Sequence, residues 1–480
     1  MASYLDRWEP VIGLEVHAQL MTKSKMFCSC PNHYGSGPNT NICEVCTGQP
    51  GSLPVINQKA IELGIRAALA VNGAISEDSV FARKNYFYPD LPKGYQISQF
   101  ESPYCVGGSV LIQLENEVAR RIPLTRIHFE EDAGKLIHQG DKTLVDLNRA
   151  GVPLIEIVSE PEIRSPLEAG EYLRKLHAVL RYANICDGNM EQGSFRCDAN
   201  VSVRPRGEKK LGTRTELKNI NSFRFVEKAI QFEIERQIDL LEAGEKVVQE
   251  TRLWDSDRNV SEPMRGKEDA HDYRYFPEPD LPILVISEKW IQEVREAMPE
   301  LPDQQRERFV QEYELSEYDA GFLTGSRELA SYFESVAKLS QDAKLSANWI
   351  MNELMGRLNA TGRDILHTPV KSESLAKLLS FLVSDQINGK IAKTVFDEMF
   401  EKGTDPGKII EARGLVQISD PSALEPVVQK VIEAHPDQVA SFREGNTKLL
   451  GFFVGQVMKE TKGQGNPKTV NQLVKQLLQP

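Results

Sequence analysis

Several features are missing from this sequence of 480 residues, and each absence closes off a class of function. No apolar run reaches the ~20 residues that a membrane-spanning helix needs. The opening "MASYLDRWEP" has neither the basic start nor the apolar middle of a secretory signal. A reducing, cytoplasmic setting is therefore expected, with an organelle stroma or matrix as the other option, and cysteines there serve as ligands more often than as disulfides. There is no Gly-x-x-x-x-Gly-Lys-Ser/Thr loop and no Gly-x-Gly-x-x-Gly, so any nucleotide is held without those cradles. The Gly-x-Ser-x-Gly nucleophile elbow is absent too. Internal repeats and low-complexity segments are lacking. Positive charge is in deficit: 57 Lys and Arg against 69 Asp and Glu give −12, which argues against a generally basic nucleic-acid coat.

What remains is ordinary in bulk, with 40% hydrophobic and 26% charged residues and length enough for two to four domains. The charge is unevenly spread. Residues 441–480 hold Arg443, Lys448, Lys459, Lys462, Lys468 and Lys475 against Glu444 and Glu460, a balance of +4 that leaves −16 for residues 1–440. A basic tail on an acidic body suits contact with phosphates, and equally a solvated helix face.

The first ~290 residues read mainly as strands. Helices are expected near 59–71, 166–182 and 222–243. Pro299 and Pro302 mark a change of composition, after which the pattern is helical, with a further junction at "EKGTDPGKIIEARGL" and a flexible connector at "KETKGQGNPKT". The expected fold class is α+β: a largely antiparallel sheet domain over residues 1–294, then helical segments at 295–405 and 406–480.

The strands have distinctive polar faces. In "IGLEVHAQL", Ile12, Leu14, Val16, Ala18 and Leu20 alternate with Gly13, Glu15, His17 and Gln19. Arg126, His128 and Glu130 share a face in "RIHFEEDAGK". In "FRCDANVSVR" the polar face carries Arg196, Asp198, Asn200, Ser202 and Arg204, and in "TRTELKN" Arg214, Glu216 and Lys218. Water explains one such face. Five groups that can converge, Glu15, His17, Glu130, Asp198 and Glu216, with Arg196, Arg204 and Lys218 interleaved, suit a divalent cation and phosphate. In "ARKNYFYPDLPKGYQISQF", Lys84, Lys93, Tyr86, Tyr88 and Tyr95 read as a loop that walls a pocket.

A second cluster is local. "CSCPNHYGSGPNTNICEVC" places Cys28 and Cys30, then Cys43 and Cys46, on turns that can give four thiolates to one tetrahedral zinc. Four protein ligands leave no open position, so such a site is structural. Cys105, Cys186 and Cys197 stand alone and are expected in the core.

At these positions the sequence resembles the B subunit of the glutamyl/aspartyl-tRNA amidotransferases, the GatB family. The resemblance rests on "GLEVHAQL", "CSC…CEVC", "ARKNYFYPDLPKGYQISQ", "HFEEDAGK", "DLNRAGVPLIEIVSEP", "GSFRCDANVSVR", "TELKNINSF" and "DYRYFPEPDLP", and covers the first ~290 residues almost continuously. It implies a cradle-shaped domain, a helical domain and a tail that contacts tRNA. It implies a heterotrimer whose other members are an amidase and a small bracing subunit, with ammonia channelled from glutamine. The implied reaction is phosphorylation by ATP, with Mg²⁺, of the misacylated Glu on tRNA(Gln) or Asp on tRNA(Asn), followed by amination. On this resemblance Glu15, His17, Glu130, Asp198 and Glu216 hold Mg²⁺, His17 being the unexpected ligand for an ion that prefers oxygen. Lys84 is then placed at the ammonia exit. Two other readings use the same residues: a metal-dependent phosphohydrolase or nuclease, and a non-catalytic zinc-bearing scaffold that binds RNA.

Overall fold

The computed structural model describes residues 6–114, 118–264, 273–415, 418, 420–461 and 463–479. It divides into two compact units, one ending at Leu301 and one beginning at Pro302.

The alternation in the sequence becomes the main sheet of the first unit. Its long strands are β1 (Trp8–Gln19), β4 (Arg120–Glu131), β5 (Pro153–Ser159), β6 (Phe195–Pro205), β7 (Thr215–Ile220), β8 (Glu250–Asp255) and β9 (Val260–Pro263); β2 (Ala82–Asn85) and β3 (Tyr95–Ser98) form a separate hairpin. The sheet runs β9-β8-β7-β6-β1-β5-β4, then continues through two short strands at Cys105–Val106 and Ala74–Ile75. Neighbours are antiparallel except β7 and β8. The fold is thus α+β. Lys84 lies within β2 and Tyr95 within β3, so the stretch read as one loop is a hairpin whose arms are strands.

One face of this sheet is apolar: Ile12, Leu14, Val16 and Ala18 of β1 and Ala199 and Val201 of β6 are buried in one core. Helices α1 (Gln58–Ala70), α2 (Pro166–Tyr182), α3 (Phe223–Glu242) and α4 (Glu288–Glu296) contribute to it. Their starts follow capping chemistry. Asn57, Ser165 and Ser222 each accept backbone N–H groups of the first turn, and Pro166 fills the position where no donor is needed. Gly64 of α1 is required by contact: a Cβ there would lie 2.2 Å from Phe129 Cζ of β4. The three lone cysteines are all in the core.

Among its described residues, the second unit is mainly helical from Pro302 onward, with two apolar cores. One gathers Phe309, Phe333, Trp349, Leu375 and Phe396; the other gathers Leu424, Val428, Phe453, Val457 and Val470. The connector read as flexible is largely built into structure. Lys459 and Glu460 end one helix, Asn466 caps the next, and Asn388 Nδ2 donates to Gly463 O at 2.7 Å. Lys462 lies outside the described residues, as does Asp272 of "DYRYFPEPDLP". Among the described residues, no helix is long and apolar enough to cross a membrane.

Candidate active site and metal centre

Strand register brings the polar residues together. Across β1 and β6, Glu15 faces Asp198, His17 faces Arg196 and Glu9 faces Arg204. Across β1 and β5, His17 faces Glu156. Across β5 and β4, Glu156 faces His128 and Leu154 faces Glu130. Directly opposed residues share a face, so three adjacent strands deliver two imidazoles and two carboxylates to one place.

These four form a ring of alternating charge type. His17 Nε2 lies 3.5 Å from Glu156 Oε2 and 3.8 Å from Glu130 Oε2. His128 Nε2 lies 3.1 Å from Glu156 Oε2 and 3.3 Å from Glu130 Oε1. Glu130 also accepts Ser98 Oγ at 2.8 Å and Gln96 Nε2 at 3.1 Å from β3. Burial opposes charge on every member, and mutual attraction overcomes it. Lys84 and His128 hold the Glu130 carboxyl below its usual range, and His17 and His128 do the same for Glu156. The two carboxylates in turn raise His17, and raise His128 to about 9. The Lys84 ammonium is stabilised by Glu130 and Glu156 against its own desolvation, and its Nζ sits 5.0 Å from the Tyr273 ring centroid.

Glu15, Asp198 and Glu216 gather beside this ring rather than in it. Lys218 Nζ bridges Asp198 and Glu216, each at 3.0 Å. Thr251 Oγ1 donates to Glu216 at 2.7 Å, and Asn200 Nδ2 to Glu15 at 2.9 Å. Burial, with repulsion from Glu156 and Glu216, pushes the Glu15 carboxyl up. The five residues expected to share one ion therefore fall into two groups. His17 and Glu130 join Glu156, with donor atoms within 4.8 Å of one another, Asp198 and Glu216 share Lys218, and Glu15 lies between, across from Asp198 and within reach of the Glu156 charge.

Both arginines have carboxylate partners. Arg196 binds Asp132 through two bonds of 2.9 and 3.1 Å, and Arg204 Nε donates to Glu9 at 2.8 Å. Alongside Glu15 opens a cleft of about 410 Å³, lined by Gly13, Asn200, Ser202, Gly212, Thr213 and Arg214 among others. Its wall needs glycine at 212, where a Cβ would meet Val203 O at 2.1 Å.

The four cysteines converge as their spacing suggests: Cys28, Cys30, Cys43 and Cys46 have sulfurs within 4.8 Å of one another. Cys43 and Cys46 sulfurs are 3.9 Å apart. A tetrahedron with Zn–S near 2.3 Å has an edge of about 3.8 Å, so the donor set fits that ion. The carboxylate ring fits a divalent cation on different grounds. Its donors are the His17 imidazole and the Glu130 and Glu156 carboxylates, which lie within 4.8 Å of one another.

Glu156 and His128 are absent from the candidate set that the sequence supplies. Glu156 has a signal: it is the lone charge in the apolar stretch "PLIEIVS". Alternation puts His128 on the polar face but gives it no role, and Asp132 lies one residue beyond the end of β4.

The profile of the GatB/GatE catalytic domain matches residues 10–292, and that of the GatB domain matches 331–478. The chain is 55% identical over 475 residues to the B subunit of the aspartyl/glutamyl-tRNA(Asn/Gln) amidotransferase of Nitrosococcus oceani, covering 98% of this chain and 100% of that one. It is 54% identical to the Carboxydothermus hydrogenoformans protein of the same name, with 99% of each chain covered, and 56% identical to that of Geobacter sulfurreducens, with 97% and 98% covered. The chain belongs to the family of tRNA amidotransferase B subunits, and its polar sheet face lies in the catalytic domain of that family.

Proposed function

We propose that this chain activates and amidates the side-chain carboxylate of a misacylated tRNA, Glu-tRNA(Gln) and/or Asp-tRNA(Asn), using ATP and ammonia from a partner amidase. The observation that carries this reading is one half-buried sheet face on which the His17–Glu130–Glu156 cluster and the carboxylates Glu15, Asp198 and Glu216 stand side by side next to a cleft.

A carboxylate resists attack because oxide is a poor leaving group. Transfer of the ATP γ-phosphoryl group to a carboxylate oxygen releases ADP and leaves an acyl phosphate. Ammonia then adds at the carbonyl carbon, the C–O bond to phosphate breaks, and the amide forms. A divalent cation such as Mg²⁺ would be held by His17, Glu130 and Glu156, with Glu15, Asp198 and Glu216 beside them, and would supply the charge neutralisation that phosphoryl transfer requires. The cleft beside Glu15 seats the nucleotide, with Arg214 at its wall. Lys218 offsets Asp198 and Glu216 as phosphates approach. Lys84 orients the incoming ammonia. Glu130, held ionised by its neighbours, accepts a proton from ammonium and passes it on rather than keeping it.

In this reading residues 1–294 carry the chemistry, 295–405 form a helical domain, and 406–480 contact tRNA. The chain works in a heterotrimer with the amidase and a small bracing subunit, in a reducing, cytoplasm-like compartment. The thiol cluster holds structural zinc. The test is amidation by the reconstituted complex with ATP, glutamine and Glu-tRNA(Gln). Gln-tRNA(Gln) and ADP are expected in equal amounts, and neither with Asp198→Asn. Phosphoester hydrolysis by this chain alone, or RNA binding without amidation, would overturn the reading in favour of a phosphohydrolase or a scaffold.

A further inference from the structure

Lys25 is fully buried. Its backbone is fixed by a bond from Lys25 N to Cys30 O at 3.0 Å, and its carbonyl accepts Asn57 Nδ2 at 3.1 Å. The ammonium lies 3.6 Å from Cys46 Sγ and 3.4 Å from the carbonyl oxygen of Leu147. No carboxylate of the described residues pairs with it; Glu131, which borders the same cavity as Cys28 and Cys46, is paired with Lys93.

A buried ammonium needs a counter-anion or strong acceptors to offset its lost hydration. Four thiolates around one divalent zinc carry a net charge of −2, and the sulfur nearest the ammonium belongs to that set. Lys25 therefore finds its countercharge in the cluster itself. We propose that Lys25 is the countercharge of the zinc centre: it donates an N–H···S bond to the Cys46 thiolate, offsets part of the residual negative charge, and ties the knuckle to the chain at Leu147. The proposal rests on the zinc reading of the four cysteines and adds to it a residue outside the ligand set. The ammonium therefore bears on metal retention, which a residue that only fills space would leave unchanged.

The experiment is a cycle on the full-length chain: wild type and Lys25→Met, each zinc-loaded and chelator-treated, followed by thermal unfolding and zinc competition with a chromophoric chelator. The expected result is about tenfold or greater weakening of zinc retention in Lys25→Met, and a Tm loss that is larger with zinc than without it. Cobalt-loaded Lys25→Met should show its sulfur-to-metal charge-transfer band at longer wavelength, because a positive charge beside the sulfur has gone. Equal Tm losses in both states, or unchanged zinc retention, would overturn the proposal. If Lys25→Met does not fold, amine labelling of wild type decides: Lys25 should be protected with zinc and labelled soon after chelation, and equal labelling in both states counts against it. Zinc content of the wild type tests the underlying reading separately; one zinc per chain with a null Lys25 result fails the countercharge alone.

Discussion

The four-thiol knuckle and the carboxylate–imidazole ring are both groups of metal-ligating side chains, and they are built in opposite ways. The cysteines come from one stretch, residues 28–46, on turns with little secondary structure. The ring draws residues 17, 128, 130 and 156 from three strands locked in register. Among the described residues only Lys25 brings an opposite charge to the thiols, so the knuckle's shape depends on its ion. The ring's members neutralise one another, so the sheet holds them in place on its own. Metal removal should therefore loosen the first cluster and leave the second standing.

The largest expected effect comes from the ring. Glu156→Gln keeps size and one acceptor but removes the charge shared by both histidines, and amidation should fall by at least ~10²-fold with the fold retained. Activity within a few-fold of wild type would show that the ring is structural. Next is the pair beside it: Asp132→Asn breaks the two-bond contact with Arg196, and urea unfolding should register a loss of about 2–4 kcal/mol, moderated because Arg196 is part-exposed. A loss below ~0.5 kcal/mol would make that pair a surface contact.

Cys43→Ser should then abolish zinc binding and lower the Tm of the first unit by about 5 °C, while hydrogen exchange at β1 and β5 stays unchanged. Loosening of those strands would erase the contrast between the two clusters. Deletion from about residue 415 should weaken tRNA binding while sparing ATP chemistry. Lys448, Lys459, Lys468 and Lys475 are exposed there, and each lost phosphate contact should flatten the salt dependence by roughly one unit or less. Equal affinities and slopes would reduce the tail to a solvated helical cap.

The smallest effect is a pH dependence away from both clusters. His177 packs edge-on against Phe195 and Phe223 and bonds Gly188 O at 3.0 Å, and burial lowers its proton affinity. A histidine whose pKa is lower folded than unfolded gives stability that is complete above the unfolded value near 6.5 and is lost as pH falls below it. Nuclear magnetic resonance titration should place its midpoint below about 6.5; a midpoint above that reverses the sign.

The same contrast governs what the sequence could tell. Cys28, Cys30, Cys43 and Cys46 were legible because spacing alone carried the information. Period-two alternation showed that Glu15, His17, Glu130, Asp198 and Glu216 lie on polar faces, yet alternation is silent on which strands adjoin. The Glu9–Arg204 pairing needed the β1–β6 register, and the partition of five carboxylate and imidazole candidates into two groups needed Lys218 placed between Asp198 and Glu216. Helix starts near 166 and 222 were legible from helical spacing, and Ser165 and Ser222 cap those helices in the structure. Glu156 was hidden by its neighbours: Leu154, Ile155 and Ile157 make the strand read as core, although a lone carboxylate within it was the cue.

The central place of β1 has a consequence for synthesis. Its two neighbours, β5 and β6, begin at residues 153 and 195, so β1 leaves the ribosome long before either partner exists. At about 5–20 residues per second, roughly 10–40 s pass before β6 has emerged. During that interval Ile12, Leu14, Val16 and Ala18 offer an unpaired apolar strand, the kind of segment that seeds aggregation. Cells overproducing this chain should need a chaperone that occupies nascent strands, and slowing translation downstream of β1 should lower the yield of folded protein.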